Sequence, residues 1–312
     1  MINTSILILT KNGGPEVKSC LEAVYNQTAI SQAEVIIVDS GSTDGTLEIM
    51  KGFPACLHQI RPETFHHART RNLIASLAKG EILVLLSQDA IPSSNSWLQA
   101  LAANFADTTV GAVYGRQVPK PGSSLEREDA LNTVYGTQRV VKDPAQRNGL
   151  GYRFYHFSDA NAAIRRDVWQ ETGFPEDLRV FEDLGIAKRI LDGGWKIVYE
   201  PEACVFHSHH HTTLGLFKRY FDIGYTLRRL QLWNAHSTRS SLVRDAVGLL
   251  SNKVRRIKRK GDVRRAGLAL AQDVAKSAGL FLGLQQAYLP SALKRHLSAH
   301  HICEGSNPGA TE

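Results

Sequence analysis

Short apolar runs separated by longer stretches of helical spacing mark the first half of the chain. The runs "TSILIL" (4–9), "EVIIVDS" (34–40), "ACLHQI" (55–60), "EILVLLS" (81–87) and "GAVYGRQ" (111–117) are rich in β-formers. Between them, Pro15–Asn26, Thr43–Lys51, Phe65–Ala78 and Ser94–Phe105 carry apolar residues at helical intervals. Strands alternating with helices in this way predict an α/β fold, a mostly parallel central sheet with helices on both faces. Ligands of such sheets bind at the carboxyl ends of the strands, near a reversal of strand order. Thr10–Asn12, Asp39–Asp44 and Ser87–Asp89 each follow a strand directly, so three polar strand ends are predicted to face one pocket.

The pattern then loosens. From Val118 to about Tyr155, "PKPGSS" and "KDPAQRNGLG" are loop signals around a helical middle. Regularity returns with a strand "NAAIRR" (161–166), a helix from about Phe181 to Leu191 closed by Gly193 and Gly194, and strands "KIVYEP" and "ACVFH". From Thr212 onward the chain predicts helices with basic faces and no internal repeat. The expected division is an α/β domain over residues 1–211, with an insertion at about 118–155, and a helical, basic region over 212–312.

Composition narrows the function classes. The chain has 312 residues, 43% hydrophobic and 21% charged, enough to bury a sizeable core. Four cysteines, Cys20, Cys56, Cys204 and Cys303, have no CxxC spacing, which points away from a disulfide framework and a zinc–thiolate site and toward a reducing compartment such as the cytoplasm. "MINTSILILTKNGG" lacks a basic region before its short apolar run and predicts a strand, not a signal peptide. No window approaches the ~18 uninterrupted apolar residues of a membrane span. The net charge of +7 is unevenly placed: residues 213–312 hold 17 Lys+Arg against 6 Asp+Glu, leaving 20 against 24 in residues 1–212.

Several motifs carry candidate chemistry. In "VDSGSTDGT" (38–46), Asp39 is placed to accept from a base N–H and Asp44 to cap the following helix; a plain β–α turn fits the same letters. "TKNGGPE" lacks the GxGxxG of a dinucleotide site, and no P-loop pattern occurs. In "FHHARTRN", Arg71 and Asn72 precede the apolar run "LIASLA" and are placed to meet a base or phosphate. Asp89 after "LVLLSQ" suits either a helix N-cap or a divalent cation that keeps waters while bridging phosphate oxygens. Of the acid pair Glu182 and Asp183, only one can face a pocket, because neighbours on a helix point about 100° apart. "VFHSHHHT" sets His207 and His209 on one side of an extended strand, where imidazoles suit Mn²⁺ or a similar ion.

The ordered set "LTKN", "IIVDSGSTDGT", "HARTRN", "AKGEILVLLSQDA", "DANAAIRRDVW", "FEDLGIAKRILDGGWKIVYEP" and "VFHSHHH" resembles family 2 inverting glycosyltransferases of the GT-A fold, most of all bacterial rhamnosyltransferases. The resemblance spans about residues 3–212 and lies in the order of the motifs more than in any one of them. It implies that Thr10, Asn12, Asp39, Arg71, Asn72, Ser87 and Gln88 bind the nucleotide. Ser87-Gln88-Asp89 stands where the family has D-x-D, so Asp89 matches the metal-binding second acid and the first acid is absent. Asp183 matches the general base; Asp159, Asn161 and Glu182 are implied near the donor sugar or acceptor, and His207 or His209 as a late metal ligand. The implied reaction is a single displacement with inversion, assisted by Mg²⁺ or Mn²⁺, moving a sugar from a dTDP- or UDP-sugar, with L-rhamnose first, onto a hydroxyl of a glycan or lipid-linked saccharide for cell-surface polysaccharide.

The basic tail bears on partners. Arg239–Arg265 carries 10 Lys+Arg and 2 acids between apolar stretches, which suits either an anionic inner-leaflet surface or a solvated appendage or dimer contact. Nucleic acid is disfavoured because no aromatic residues interleave the charges. A non-catalytic sugar-nucleotide or glycan-binding module of the same fold is the second function class.

Overall fold

The computed structural model describes residues 3–123, 131–132, 134–147, 151–178, 180–209, 211–233 and 263–300. Two compact units divide the chain, one of residues 1–148, 154–177 and 182–209, the other of 149–153, 178–181 and 210–312. Most of the basic run 239–265, and His210, lie outside the described residues.

The first unit runs β1 (Thr4–Thr10), α1 (Gly14–Tyr25), β2 (Ala33–Asp39), α2 (Thr46–Lys51), β3 (Cys56–Gln59), α3 (His67–Leu77), β4 (Ile82–Ser87), β5 (Ile91–Pro92), α4 (Trp97–Ala102), β6 (Val110–Val118), β7 (Val140–Lys142), β8 (Asn161–Arg165), α5 (Arg166–Thr172), α6 (Glu182–Asp192) and β9 (Lys196–Phe206). The strands form one sheet in the order β3-β2-β1-β4-β8-β6-β9-β5, with β7 also on β9. The sheet is mixed, with parallel pairing over its longest ladders. β1, β2, β3 and β4 run parallel, as do β6 and β9, but β8 is antiparallel to both its neighbours, and β5 and β7 are antiparallel to β9.

Core formation follows the alternation of the strands. Ile6, Ile8, Val35, Ile37, Val84 and Leu86 point to one face and pack on Val17, Cys20, Leu21 and Val24 of α1 and on Trp97, Leu98 and Leu101 of α4. Each such side chain, when fully buried, contributes about 1.5–3 kcal/mol. The intervening Leu7, Ile36 and Leu85 are buried too, as are Ala68, Ile74 and Ala75 of α3, so both sheet faces are covered. The register sets the strand ends level: Thr10 pairs with Asp39 and Leu9 with Ser87.

Two elements differ from the sequence expectation. "KIVYEP" and "ACVFH" are one long strand, β9, whose pairing with β6 jumps from Gly115↔Glu200 to Gln117↔Val205. Pro201 falls in that gap, where no ladder hydrogen bond is required of it. Past the gap, Val205 and Phe206 pair with β5, which brings the end of β9 beside the turn after β4. Within the stretch 118–155, residues 140–142 form β7 on β9.

In the second unit, α7 (Thr213–Arg229) is capped by Thr212, whose hydroxyl accepts from the Gly215 amide at 3.0 Å. It packs on α8 (Val263–Leu284), and α9 (Ser291–Leu297) follows. The α7–α8 crossing is a backbone contact: a methyl on Gly279, Gly283 or Gly224 would overlap the carbonyl oxygens of Phe217, Phe221 or Leu280 respectively. No described helix is long and apolar enough to cross a membrane.

Candidate active site

The carboxyl ends of β1 and β2 are joined by the Asp39 side chain, which is fully buried. Its Oδ1 accepts from the amides of Gly41 and Ser42 at 3.0 and 2.9 Å, and its Oδ2 from the hydroxyls of Thr10 and Ser42 at 3.0 and 2.5 Å. Asn12, in the left-handed region at φ 48°, extends the stitch: its amide donates to Ser42 Oγ and its Oδ1 accepts from the Thr43 amide. Asp44 accepts from the Thr46 amide at 3.1 Å, but the N-cap of α2 is Gly45 and not Asp44. Thr10, Asn12 and Asp39 thus share one cluster. Gln88 is occupied differently. Its amide accepts from the Lys11 N–H at 3.0 Å and donates to the Lys11 carbonyl at 3.1 Å, which holds the β1–α1 turn.

Asp89 is not a helix cap, because the next helix begins only at Trp97 with Ser96 before it. It meets the end of β9 instead. Its Oδ1 lies 3.5 Å from His207 Nε2 and its Oδ2 3.7 Å from His209 Nδ1, and the three donor atoms lie within 4.8 Å of one another. Burial acts to raise the Asp89 pKa, but the hydrogen bond from His207 and the positive charges of His207, His209 and Lys120 outweigh it and lower it to about 2. Ser87 stands at the end of β4, half-buried, two residues before it.

A residue outside the motifs orients this cluster. Gln117, at the end of β6, directs its Nε2 to Ser158 Oγ at 2.9 Å and its Oε1 to His207 Nδ1 at 2.8 Å. With Nδ1 donating to that amide oxygen, Nε2 is left facing the Asp89 carboxylate, as a donor when the ring is charged and with a lone pair when it is neutral. Two lone pairs so placed repel unless a cation, a proton or a metal ion, lies between them. One carboxylate and two imidazoles, one of them held from behind by an amide, fit a divalent transition ion. Gln117 was legible only as the last letter of a strand; "GRQ" gives no ligand-type signal.

The first turn of α6 carries the second polar cluster. Glu182 is buried, with His67 Nδ1 at 3.5 Å from its Oε1. Burial first, then the nearby Asp159 and Asp183 charges, hold its carboxyl well above the usual range, against the opposing pull of Arg71. Arg71, buried, makes a close ion-pair contact with Asp159 at 2.9 Å. Asp183 is half-buried and its Oδ1 accepts from the Leu184 amide at 2.7 Å. Phe181, just before, has φ 58°, so the chain turns sharply into this helix.

Two expected site residues are structural. Asn72 Nδ2 donates to the Phe174 carbonyl at 3.0 Å while its Oδ1 accepts from the Phe174 amide and Trp169 Nε1, clamping the segment after α5. Asn161 is fully buried. Its Oδ1 accepts from Trp97 Nε1 at 2.8 Å and its Nδ2 donates to the carbonyls of Ala203 and Arg116, filling the β6–β9 bulge where Gly115 leaves room. Neither side chain has a polar atom left for a sugar. The segment Ser158–Asn161 still matters, because Ser158 bonds Gln117 of the metal-type cluster and Asp159 pairs with Arg71 of the acid cluster.

A mixed sheet of this strand order, with the polar ends of β1, β2 and β4 beside an Asp–His cluster, is the GT-A fold. It is shared with a mannosyltransferase of Pyrobaculum calidifontis solved with GDP-Man and Mn²⁺ (TM-score 0.63, 19% identity, 91% of this chain and 87% of that one). It is shared also with S. aureus TarS 1–349 in complex with UDP-GlcNAc (TM-score 0.56, 15% identity, 95% and 86%). The profile of glycosyl transferase family 2 matches residues 5–173, and the chain belongs to that family. It is 34% identical over 223 residues to the O-antigen chain rhamnosyltransferase RfbN of Salmonella typhimurium, covering 70% of this chain and 71% of that protein. It is 28% identical over 239 residues to the glycosyltransferase AglE of Haloferax volcanii, covering 73% of each. The protein is a glycosyltransferase, and the binding-module alternative is not favoured.

Proposed function

We propose that this protein transfers L-rhamnose from dTDP-rhamnose to a hydroxyl of a glycan or lipid-linked saccharide, inverting the anomeric carbon in a single displacement. The observation that carries the reading is the meeting of Asp89, His207 and His209 beside the polar ends of β1, β2 and β4. A divalent cation held there supplies Lewis-acid neutralisation of the charge that develops on the leaving diphosphate. Two imidazoles favour Mn²⁺ over Mg²⁺, which prefers oxygen ligands. Thr10, Asn12 and Asp39 line the nucleotide side, with Ser87 at its edge. Asp39 organises the turn that receives the base, since both its oxygens already accept two hydrogen bonds.

Asp183, in the first turn of α6, takes the proton from the acceptor hydroxyl. Glu182, buried and pushed toward its neutral form, together with the Arg71–Asp159 pair, holds that first turn in place. Rhamnose as the sugar rests on the 34% identity to proteins named as O-antigen rhamnosyltransferases. A panel of nucleotide sugars with Mn²⁺ or Mg²⁺ and a lipid-linked saccharide acceptor tests the whole scheme. Asp183→Asn is expected to lower transfer by roughly 10²–10⁴-fold while donor and Mn²⁺ still bind. Undiminished transfer by that variant would remove Asp183 as the base; preference for a UDP-hexose would change the sugar and leave the mechanism.

A further inference from the structure

The loop after β6 places a cation that neither the motifs nor the scheme above employs. Lys120 is three-quarters buried, with Nζ at 2.6 Å from Glu16 Oε1 and 4.0 Å from Asp89 Oδ2. The loop is built to hold it. Pro119 and Pro121 flank it, the Ser123 amide donates back to the Lys120 carbonyl at 3.0 Å, and Gly122 has φ 81°. Proline second and a positive-φ glycine third are the signature of a type II turn, whose first residue is Lys120. That turn is tied to the segment bearing the histidines: the His207 amide donates to the Val118 carbonyl at 2.9 Å, and the Lys120 amide to Ser208 Oγ at 3.3 Å. Glu16, in turn, sits in the first turn of α1, where a carboxylate is favoured.

The charges around this lysine suggest its task. Glu16, Asp89 and Lys120 together are one net negative charge; a divalent ion at Asp89 turns the group to one net positive charge, and without Lys120 the loaded site would be neutral. We infer that Lys120 is a second cationic contact for the donor's diphosphate, parked on Glu16 until the phosphates arrive. This rests on the reading of the donor as a nucleoside-diphosphate sugar. The bland alternative is a structural bridge that staples the loop to α1.

The two readings differ in sign. If Lys120 binds the diphosphate and Glu16 competes for it, removing each carries opposite consequences; if they form a staple, both removals act alike. Calorimetric titration of the full chain with dTDP, in EDTA and in Mn²⁺, tests this. Lys120→Gln is expected to weaken dTDP binding roughly tenfold, the scale of one charge-assisted hydrogen bond. Lys120→Arg is expected to retain most of the affinity, and Glu16→Gln to match or exceed wild type. Mn²⁺ alone binds Lys120→Gln no more weakly than wild type, which separates the loss from a damaged metal site. Equal losses in Lys120→Gln and Glu16→Gln, or no loss in Lys120→Gln, would overturn the assignment. Wild type that binds none of dTDP, UDP and GDP in Mn²⁺ would overturn the donor reading and Lys120 with it.

Discussion

At Gln117 one amide decides which imidazole nitrogen of His207 faces Asp89. Replacing it by leucine leaves the Nδ1 proton unpartnered in a buried place, and the ring is free to turn. Gln117→Leu is expected to lower Mn²⁺ affinity by about 10–100-fold, read by titration of the metal alone, with Asp89 and both histidines still present. An unchanged affinity would mean that the strand, and not the amide, orients the ring. A second residue-scale prediction concerns Lys142, buried on β7, which donates to the His156 carbonyl and lies 4.7 Å over the Tyr114 ring. Burial lowers its pKa from 10.5 to about 7. Between those values the unfolded chain holds a proton that the folded chain does not, so stability rises with pH across the window and its loss is complete below about 7. The difference in unfolding free energy between Lys142→Met and wild type should therefore shift in favour of wild type from pH 7 to pH 10. A difference constant with pH would mark the ammonium as solvated. Neither residue stands in a motif, so neither was legible as functional before its neighbours were known.

Among the elements, the bulge between β6 and β9 does most to assemble the site. Straight pairing from Val110 onward would carry His207 past the turn after β4; the jump at Gly115 delivers it to Asp89. Gly115 has no substitute here, because a methyl would overlap the Ala203 carbonyl and the Asn161 amide. Gly115→Ala is expected to cost about 1–3 kcal/mol of stability, measured by urea unfolding, and to weaken Mn²⁺ binding as Asn161 and its segment shift. Retained stability with normal metal binding would show that the bulge tolerates a side chain. The helices α1, α3 and α6, and the strands of the first half, were predictable because their apolar residues repeat at 3.6 or 2 positions. The bulge was not, since Pro201 reads equally as the end of one strand and the start of another.

For the whole molecule, the surplus of basic residues falls in the second unit, which also carries exposed apolar side chains. Leu270, Val274 and Phe281 are exposed on α8, the helix that follows the basic run. An anionic bilayer suits that combination and would bring a lipid-linked acceptor to the enzyme. Co-sedimentation with phosphatidylglycerol vesicles, falling with salt and absent with phosphatidylcholine, is the expected outcome; no binding to either would assign the basic region to solvent or to a second copy of the chain.

Periodicity and motif order, both local properties of the chain, were enough to determine the α/β class, the strand ends that carry Thr10, Asp39 and Asp89, and the family. They rest on short-range physics: strand and helix periods, turn chemistry at Gly and Asp, and the placement of polar letters after apolar runs. Only the tertiary structure decided what those letters do together. It set Asn72 and Asn161 to structural work, enlisted Gln117, and brought Lys120 to Asp89. Such pairings join residues far apart in the chain, through a reversed strand and a bulge that leave no period in the sequence.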